Sequence, residues 1–235
     1  MRTRALVSRS TASHLRWSPR PPWSEVSSGT VPVPAIDIHS VRDQLGLPRR
    51  VRDVPLTSNV RGVWFSMAAD CVRKLGRAEV ATWERMVPRR RRVPFLSYSL
   101  REYLEELATA GGIIDPKHPG EGVRQIWREA TSQYLATPFG RSLLRMLKID
   151  PHKYLTWLCA NRDHFCNYGH WSVAMREPGY SVLEITGEYI WIEHAMRGGA
   201  EGMLGVFGVE GSVEPELVSP YEGRLHVRWK PRLSS

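Results

Sequence analysis

The chain has 235 residues, of which 42% are hydrophobic and 24% charged, and it carries a formal net charge of +9. That length accommodates one domain with an extension or two very small ones, and a mean hydropathy of −0.35 without an apolar run near ~18 residues excludes a membrane-spanning helix. Nine tryptophans argue for a packed body, and three cysteines, an odd number, argue for a reducing cytoplasmic setting over a secreted disulfide scaffold.

The charge is unevenly placed. Residues 1–56 hold nine basic and four acidic side chains, residues 57–149 hold sixteen and nine, and residues 150–235 hold eight and eleven. Pro19, Pro21, Pro22, Pro32, Pro34 and Pro48 interrupt any helix in the first stretch, among Ser, Thr and Arg. Residues 1–56 therefore read as a basic disordered extension, and residues 57–235 as a single domain. No uninterrupted apolar stretch follows Arg2 and Arg4, which argues against a secretory signal.

From Thr57 the pattern becomes helical. Val60, Val63, Trp64, Met67, Cys71, Val72 and Leu75 follow the i, i+3, i+4, i+7 rhythm, with Thr57 or Ser58 as cap and Gly76 as end. A short helix over 78–87 stops at Pro88. Arg89, Arg90, Arg91 and Arg92 then lie between Pro88 and Pro94 as an exposed loop, either a solvated connector or a contact for nucleic acid or an acidic partner. Ser99-Leu100-Arg101-Glu102 has the form of a capping box, Leu100, Tyr103, Leu104 and Leu107 supply a buried stripe, and Gly111-Gly112 end it. Glu102, Glu105 and Glu106 read as a solvent face. Val123, Ile126, Trp127, Ala130 and Tyr134 mark the next helix. Thr137-Pro138 and Asp150-Pro151 then supply an N-cap and first-turn proline for two more, the second carrying Tyr154, Leu155, Leu158 and Cys159.

After Asn161 the period becomes two. Trp171, Val173 and Met175 form one strand, Glu177-Pro178-Gly179 a turn, and Tyr180, Val182 and Ile185 a returning strand. A glycine-rich helix spans about Ile192–Phe207. Val213–Leu217 and Leu225, Val227 and Trp229 form a second hairpin turned near Glu222-Gly223. The order helices, hairpin, helix, hairpin predicts an α+β fold, with an N-terminal helical layer on a four-stranded antiparallel sheet.

Several landmarks carry a resemblance over residues 57–230. They are Arg61-Gly62-Val63-Trp64-Phe65, Tyr98-Ser99-Leu100-Arg101-Glu102-Tyr103-Leu104, Thr137-Pro138-Phe139-Gly140-Arg141-Ser142-Leu143-Leu144, Asn167-Tyr168-Gly169, Gly199-Ala200-Glu201-Gly202-Met203-Leu204 and Leu225-His226-Val227-Arg228-Trp229. In these the chain resembles a paralogous family of uncharacterised domains expanded in the myxobacteria. That family is distantly similar to haem–nitric oxide-binding and 4-vinyl-reductase-type small-molecule domains, and to vesicle-tethering subunits of the same architecture. The resemblance implies an apolar pocket between helices and sheet, and no particular activity.

The candidate chemistry is sparse. Cys159, His164, Cys166 and His170 are zinc-type donors close in sequence, but C-x4-H-x-C-x3-H lacks paired knuckles, and Cys159 falls on an apolar stripe. A haem would need an axial ligand such as His118, His152, His164, His170 or His194. Tyr98-Ser99-Leu100-Arg101 has the residue types of the haem domains' Tyr-x-Ser-x-Arg motif at a different spacing. Gly199, Gly202, Gly205 and Gly208 recur every third residue without the strand or Gly-Lys-Ser/Thr of a phosphate loop, so close helix packing is their reading. No G-x-S-x-G, H-E-x-x-H or C-x-x-C motif occurs, and Glu193-His194 is an adjacent acid–base pair whose side chains point apart on a helix. Catalytic residues are therefore not assigned, and a non-enzymatic protein is expected.

Trp127, Tyr134, Trp157, Tyr168, Trp171 and Trp191 fall on inner or boundary faces, with Arg141 or Tyr168 as polar orienters for a flat or aliphatic ligand. The expectation is a sensory or adaptor domain binding a small hydrophobic molecule or a protein partner, with a homodimer as one form of partner. Nucleic acid or an acidic partner on the basic tail and the Arg89–Arg92 loop is the alternative, and a haem or zinc protein the next. No cofactor is assigned.

Overall fold

The computed structural model describes residues 36–88, 90–148 and 150–230; the predicted extension up to residue 35, and Arg89, lie outside the described residues. The fold begins well before Thr57. Asp37 caps helix α1 (Ile38–Gln44), its carboxylate accepting the His39 and Ser40 amides. Gly46, left-handed at φ 58°, turns the chain into α2 (Leu47–Asp53), with Pro48 in its first turn. Val41, Leu45, Leu47 and Val54 are all buried in the main core. The boundary predicted at residue 57 is corrected: residues 36–56 are part of the domain. Each of these helices is about two turns long, too short to show a periodic stripe in a proline-rich segment.

The chain then runs β1 (Asn59–Arg61), α3 (Gly62–Arg73), α4 (Arg77–Met86), β2 (Ser97–Ser99), α5 (Leu100–Ile114), α6 (Pro119–Ala136), α7 (Pro138–Met146) and α8 (Pro151–Ala160). Residues 59–61, predicted as the first turn of a helix, instead pair antiparallel with β2, Val60 opposite Tyr98. The helix starts at Gly62, where a Cβ would run into the Val93 carbonyl and the Tyr98 ring. Ser99 heads α5, but its side chain makes no capping bond. Glu102 meets Arg90 and Arg92 at 2.9 and 2.8 Å instead, so the predicted capping box does not form. Gly111 and Gly112 do not end α5, which continues to Ile114. They are sites of close approach: Val41 of α1 lies against Gly112, and a Cβ on Gly122 of α6 would strike the Gly111 carbonyl oxygen. The two other caps form as the sequence implies, Thr137 accepting the Gly140 amide at 3.0 Å and Asp150 the His152 amide at 2.9 Å.

The sheet comprises β3 (His170–Glu177), β4 (Tyr180–Thr186), β5 (Gly211–Ser219) and β6 (Glu222–Trp229), antiparallel throughout in the order β3-β4-β6-β5. Gly179, at φ 74°, makes the first turn, and β6 already includes the Glu222-Gly223 pair predicted as the second. A register shift between Val173 and Met175 breaks the predicted alternation and leaves Met175 exposed. Leu183, Ile185, Val213, Leu225 and Val227 face the core. Between the hairpins, a π-helical turn (Ile192–Met196) leads into α9 (Arg197–Phe207), which packs on α6. The glycines that permit this are Gly198 and Gly202, where a Cβ would strike the Arg124 and Arg128 carbonyl oxygens. The α+β layering and the four-stranded antiparallel sheet expected from the sequence are those observed, and the β1–β2 pair adds a second, two-stranded sheet.

Candidate functional site

Where the helical layer meets the sheet there is a cavity of about 60 Å³. Helix α6 contributes Trp127, Thr131 and Tyr134; α8 contributes Tyr154, Leu155 and Leu158; the loop into the sheet contributes Phe165, Cys166 and Tyr168. Trp171, Leu183 and Leu225 come from the strands, and Met196, Gly199 and Ala200 from the π turn and α9. Trp64 of α3 stacks on Trp127 with ring centroids 4.8 Å apart and planes 13° from parallel, and meets Phe165 edge-on at 6.0 Å. Trp64 and Trp127 bury helix faces by ordinary periodicity, and Phe165 from the loop into the sheet meets them on one space.

Behind the cavity wall lies a buried polar network. Trp171 donates its indole N–H to Glu188 Oε2 at 2.9 Å, and the Ile190 amide donates to Glu188 Oε1 at 2.9 Å. Glu188 is fully buried, and burial pushes its carboxyl up to about 7 against the pull of those donors and of Arg162 and Arg50. Arg162, also buried, donates to the Tyr168 carbonyl at 2.6 Å and to that of Gly169. This arrangement fixes the strand entry and leaves the cavity itself without a charged side chain.

Of the ligand residues predicted, Trp127, Tyr134, Tyr168 and Trp171 line the cavity. Trp157 does not; it faces an outer groove with Tyr134 and Phe165. Arg141 is exposed on α7, outside the lining. Trp64, Tyr154, Phe165 and Met196 were not anticipated as lining. Trp64 sat on a visible helical stripe, whereas Phe165 lies in a loop with no periodicity to reveal it.

The predicted zinc donors do not converge. The Cys166 thiol faces the Arg162 and Tyr168 carbonyls at 3.9 and 3.8 Å, and His164 Nδ1 lies 3.3 Å from the Asn161 carbonyl. Cys159 is half-buried on α8, and His170 is exposed on β3. Among the described residues no three His, Cys, Asp or Glu side chains are placed to hold a metal ion. Burial also pushes the Cys159 and Cys166 thiols up to about 11 and about 12, so both stay protonated.

Among the described residues no histidine lines the cavity. His118 pairs with Asp115 on the surface, His152 contacts Ser181 at 2.6 Å, and His194 is pressed against Gly120. The Tyr98-Ser99-Leu100-Arg101 segment is likewise occupied elsewhere: Tyr98 Oη accepts the Val93 amide, and Arg101 donates to the Val54 carbonyl.

The basic loop is only partly a loop. Arg92 keeps 9% of its side chain exposed, meets Glu106 at 2.7 Å, and lies 4.3 Å from the Phe65 ring centroid. Arg90 pairs with Glu102, and Glu105 with Arg42 at 3.1 Å. Two members of the predicted basic patch, Arg90 and Arg92, are thus paired with Glu102 and Glu106 of the predicted acidic solvent face. Arg91 is exposed. Among the described residues no helix is long and apolar enough to cross a membrane.

The fold is shared with solved structures. An H-NOX protein from K. algicida, in the Fe(II) unliganded state, aligns with a TM-score of 0.57 at 11% identity, covering 74% of this chain and 99% of that one. An H-NOX protein from S. oneidensis, in the Fe(II)NO ligation state, aligns with a TM-score of 0.53 at 10% identity, covering 72% and 99%. No curated protein sequence matches. A family profile described as a protein of unknown function spans residues 56–230, and the chain belongs to that family, DUF2378.

Proposed function

We propose that this chain is a non-enzymatic sensory or adaptor domain that takes a small, uncharged, apolar molecule, and not haem, in the cavity between helices and sheet. The observation that carries the reading is the lining: aromatic and aliphatic faces with, among the described residues, no histidine and no charged side chain. The shared H-NOX-type fold supports a pocket at this place by analogy, and raises haem as the group to test.

The residues do not fit haem. Among the described residues the lining offers no imidazole, burial holds its one thiol and the Tyr134, Tyr154 and Tyr168 phenols protonated, and Met196 supplies its one thioether. No cation among the described residues lines the cavity to meet propionates. The stacked Trp64 and Trp127 indoles occupy the interior, and about 60 Å³ is less than half the ~150 Å³ of an apolar cavity that holds benzene. A macrocycle several times larger than benzene would require the helices to part.

The test uses the purified full chain. Xenon under pressure should shift the NMR signals of Met196 and of the Trp127 and Trp171 indoles, and added haemin should give no shifted Soret band. Absence of any response to xenon would remove the cavity reading. A Soret band abolished by a single His or Tyr substitution would restore haem.

A further inference from the structure

We propose that Phe165 is the gate of the cavity, and that its ring limits what enters to molecules smaller than benzene. This deepens the cavity reading and rests on it, since a gate needs a cavity behind it.

The cavity of about 60 Å³ shares a wall with the outer groove of about 470 Å³. Two residues line both spaces, Tyr134 and Phe165. The Phe165 ring meets Trp64 at 6.0 Å, Tyr134 at 5.9 Å and Trp157 at 6.3 Å between centroids, edge-on to each. Trp64 lines the cavity and not the groove, and Trp157 the groove and not the cavity. Phe165 therefore stands between an inner ring and an outer one.

Most of the lining is buried, but Trp64, Tyr134, Leu158, Phe165 and Gly199 reach the surface. Trp64 is held flat on Trp127, Tyr134 and Leu158 ride on α6 and α8, and Gly199 has no side chain to move. Phe165 instead follows the single 3-10 turn Arg162–His164 in the loop into the sheet. Its main chain is fixed: its amide donates to the Arg162 carbonyl at 2.8 Å, and its carbonyl accepts the Arg61 amide at 3.1 Å. The movable part is the ring, which swings by a change of rotamer and gives up only edge-on contacts.

The same ring sets the size limit. Behind it the space is less than half the ~150 Å³ that takes benzene. An alanine at this position deletes the shared wall and joins cavity to groove, so the limit should vanish with the ring.

The test reads NMR signals of Met196 and Trp171, which line the cavity and not the groove, in the full chain. Xenon should shift them in wild type, and benzene should not. In Phe165→Ala, benzene should shift both. In Trp157→Ala, which enlarges the groove alone, benzene should again leave them unmoved. Phe165→Trp should slow xenon exchange about tenfold. Near-ultraviolet circular dichroism checks each fold, and if one Phe165 variant does not fold the other decides. A benzene response in wild type or in Trp157→Ala would overturn the proposal. So would its absence in folded Phe165→Ala, or unchanged xenon exchange in Phe165→Trp. No xenon response in wild type would remove the cavity reading and the gate with it.

Discussion

Glu188 is the residue whose surroundings differ most from what its type suggests. A carboxylate with no exposed surface is costly unless it is well bonded, and here two N–H donors serve it. Its folded value of about 7 lies above the ordinary 4.5, so the fold favours the protonated form. The unfolded chain therefore binds fewer protons between pH 4.5 and pH 7, and Glu188's contribution to stability falls as pH rises across that window. The span corresponds to about 3 kcal/mol. His152 and His194, both lowered by burial, impose the opposite slope, so the informative quantity is a difference. Urea denaturation of wild type and Glu188→Gln across pH 4–8 should give curves that diverge by about that amount, with the variant gaining on wild type toward high pH. Parallel curves would show that folding leaves the Glu188 carboxyl at its ordinary value. Nothing in the sequence marks this residue: it follows Gly187 in a loop, and only the fold brings the Trp171 indole to it. Arg92 gives the same lesson, since a run of arginines reads as surface until Glu106 and the Phe65 ring are placed around one member.

At the scale of elements, the helices α5 through α8 and both hairpins could be read from periodicity and caps, because their apolar faces are long enough to repeat. Short elements escaped. The β1–β2 pair is three residues a side, and α1 and α2 are seven residues each. The glycine-rich segment was legible as a packing helix, but its working period is four, not three. Gly198 and Gly202 meet α6, Gly199 faces the cavity, Gly205 meets nothing within 4 Å, and Gly208 turns the helix end at φ 61°. A contrast follows for two substitutions with the same gain in helix propensity. Gly205→Ala should raise stability by about 0.5–1 kcal/mol, because the added methyl enters open space. Gly202→Ala should lower it by about 2 kcal/mol, because the methyl strikes the Arg128 carbonyl and α9 must back away from α6. Thermal melts followed by circular dichroism decide it, and a Gly202→Ala protein as stable as wild type would mean that α6 and α9 are not held at this distance.

For the whole molecule, the H-NOX-type layering and the aromatic cavity rest on a body that includes α1 and α2, which the family match at residues 56–230 leaves out. These helices are integral by three independent contacts. Val41 abuts Gly112, the Trp191 indole donates to the Leu45 carbonyl at 2.7 Å, and Arg50 donates to the Tyr189 carbonyl at 3.2 Å while lying 5.2 Å from the Trp191 ring centroid. Trp191 and Tyr189 flank Ile190, which lines the cavity, so the amino-terminal helices brace that wall from behind. Val41, Leu45, Leu47 and Val54 are buried, each worth about 1.5–3 kcal/mol, together about 6–12 kcal/mol. That is the order of a domain's entire stability. A chain beginning at residue 36 should therefore melt cooperatively with a strong near-ultraviolet signal from its tryptophans. One beginning at residue 57 should lose that signal, bind anilinonaphthalene sulfonate and show no xenon response at Met196 or Trp171. Equal melts for the two would place α1 and α2 outside the cooperative unit and leave the family's matched span as the complete fold.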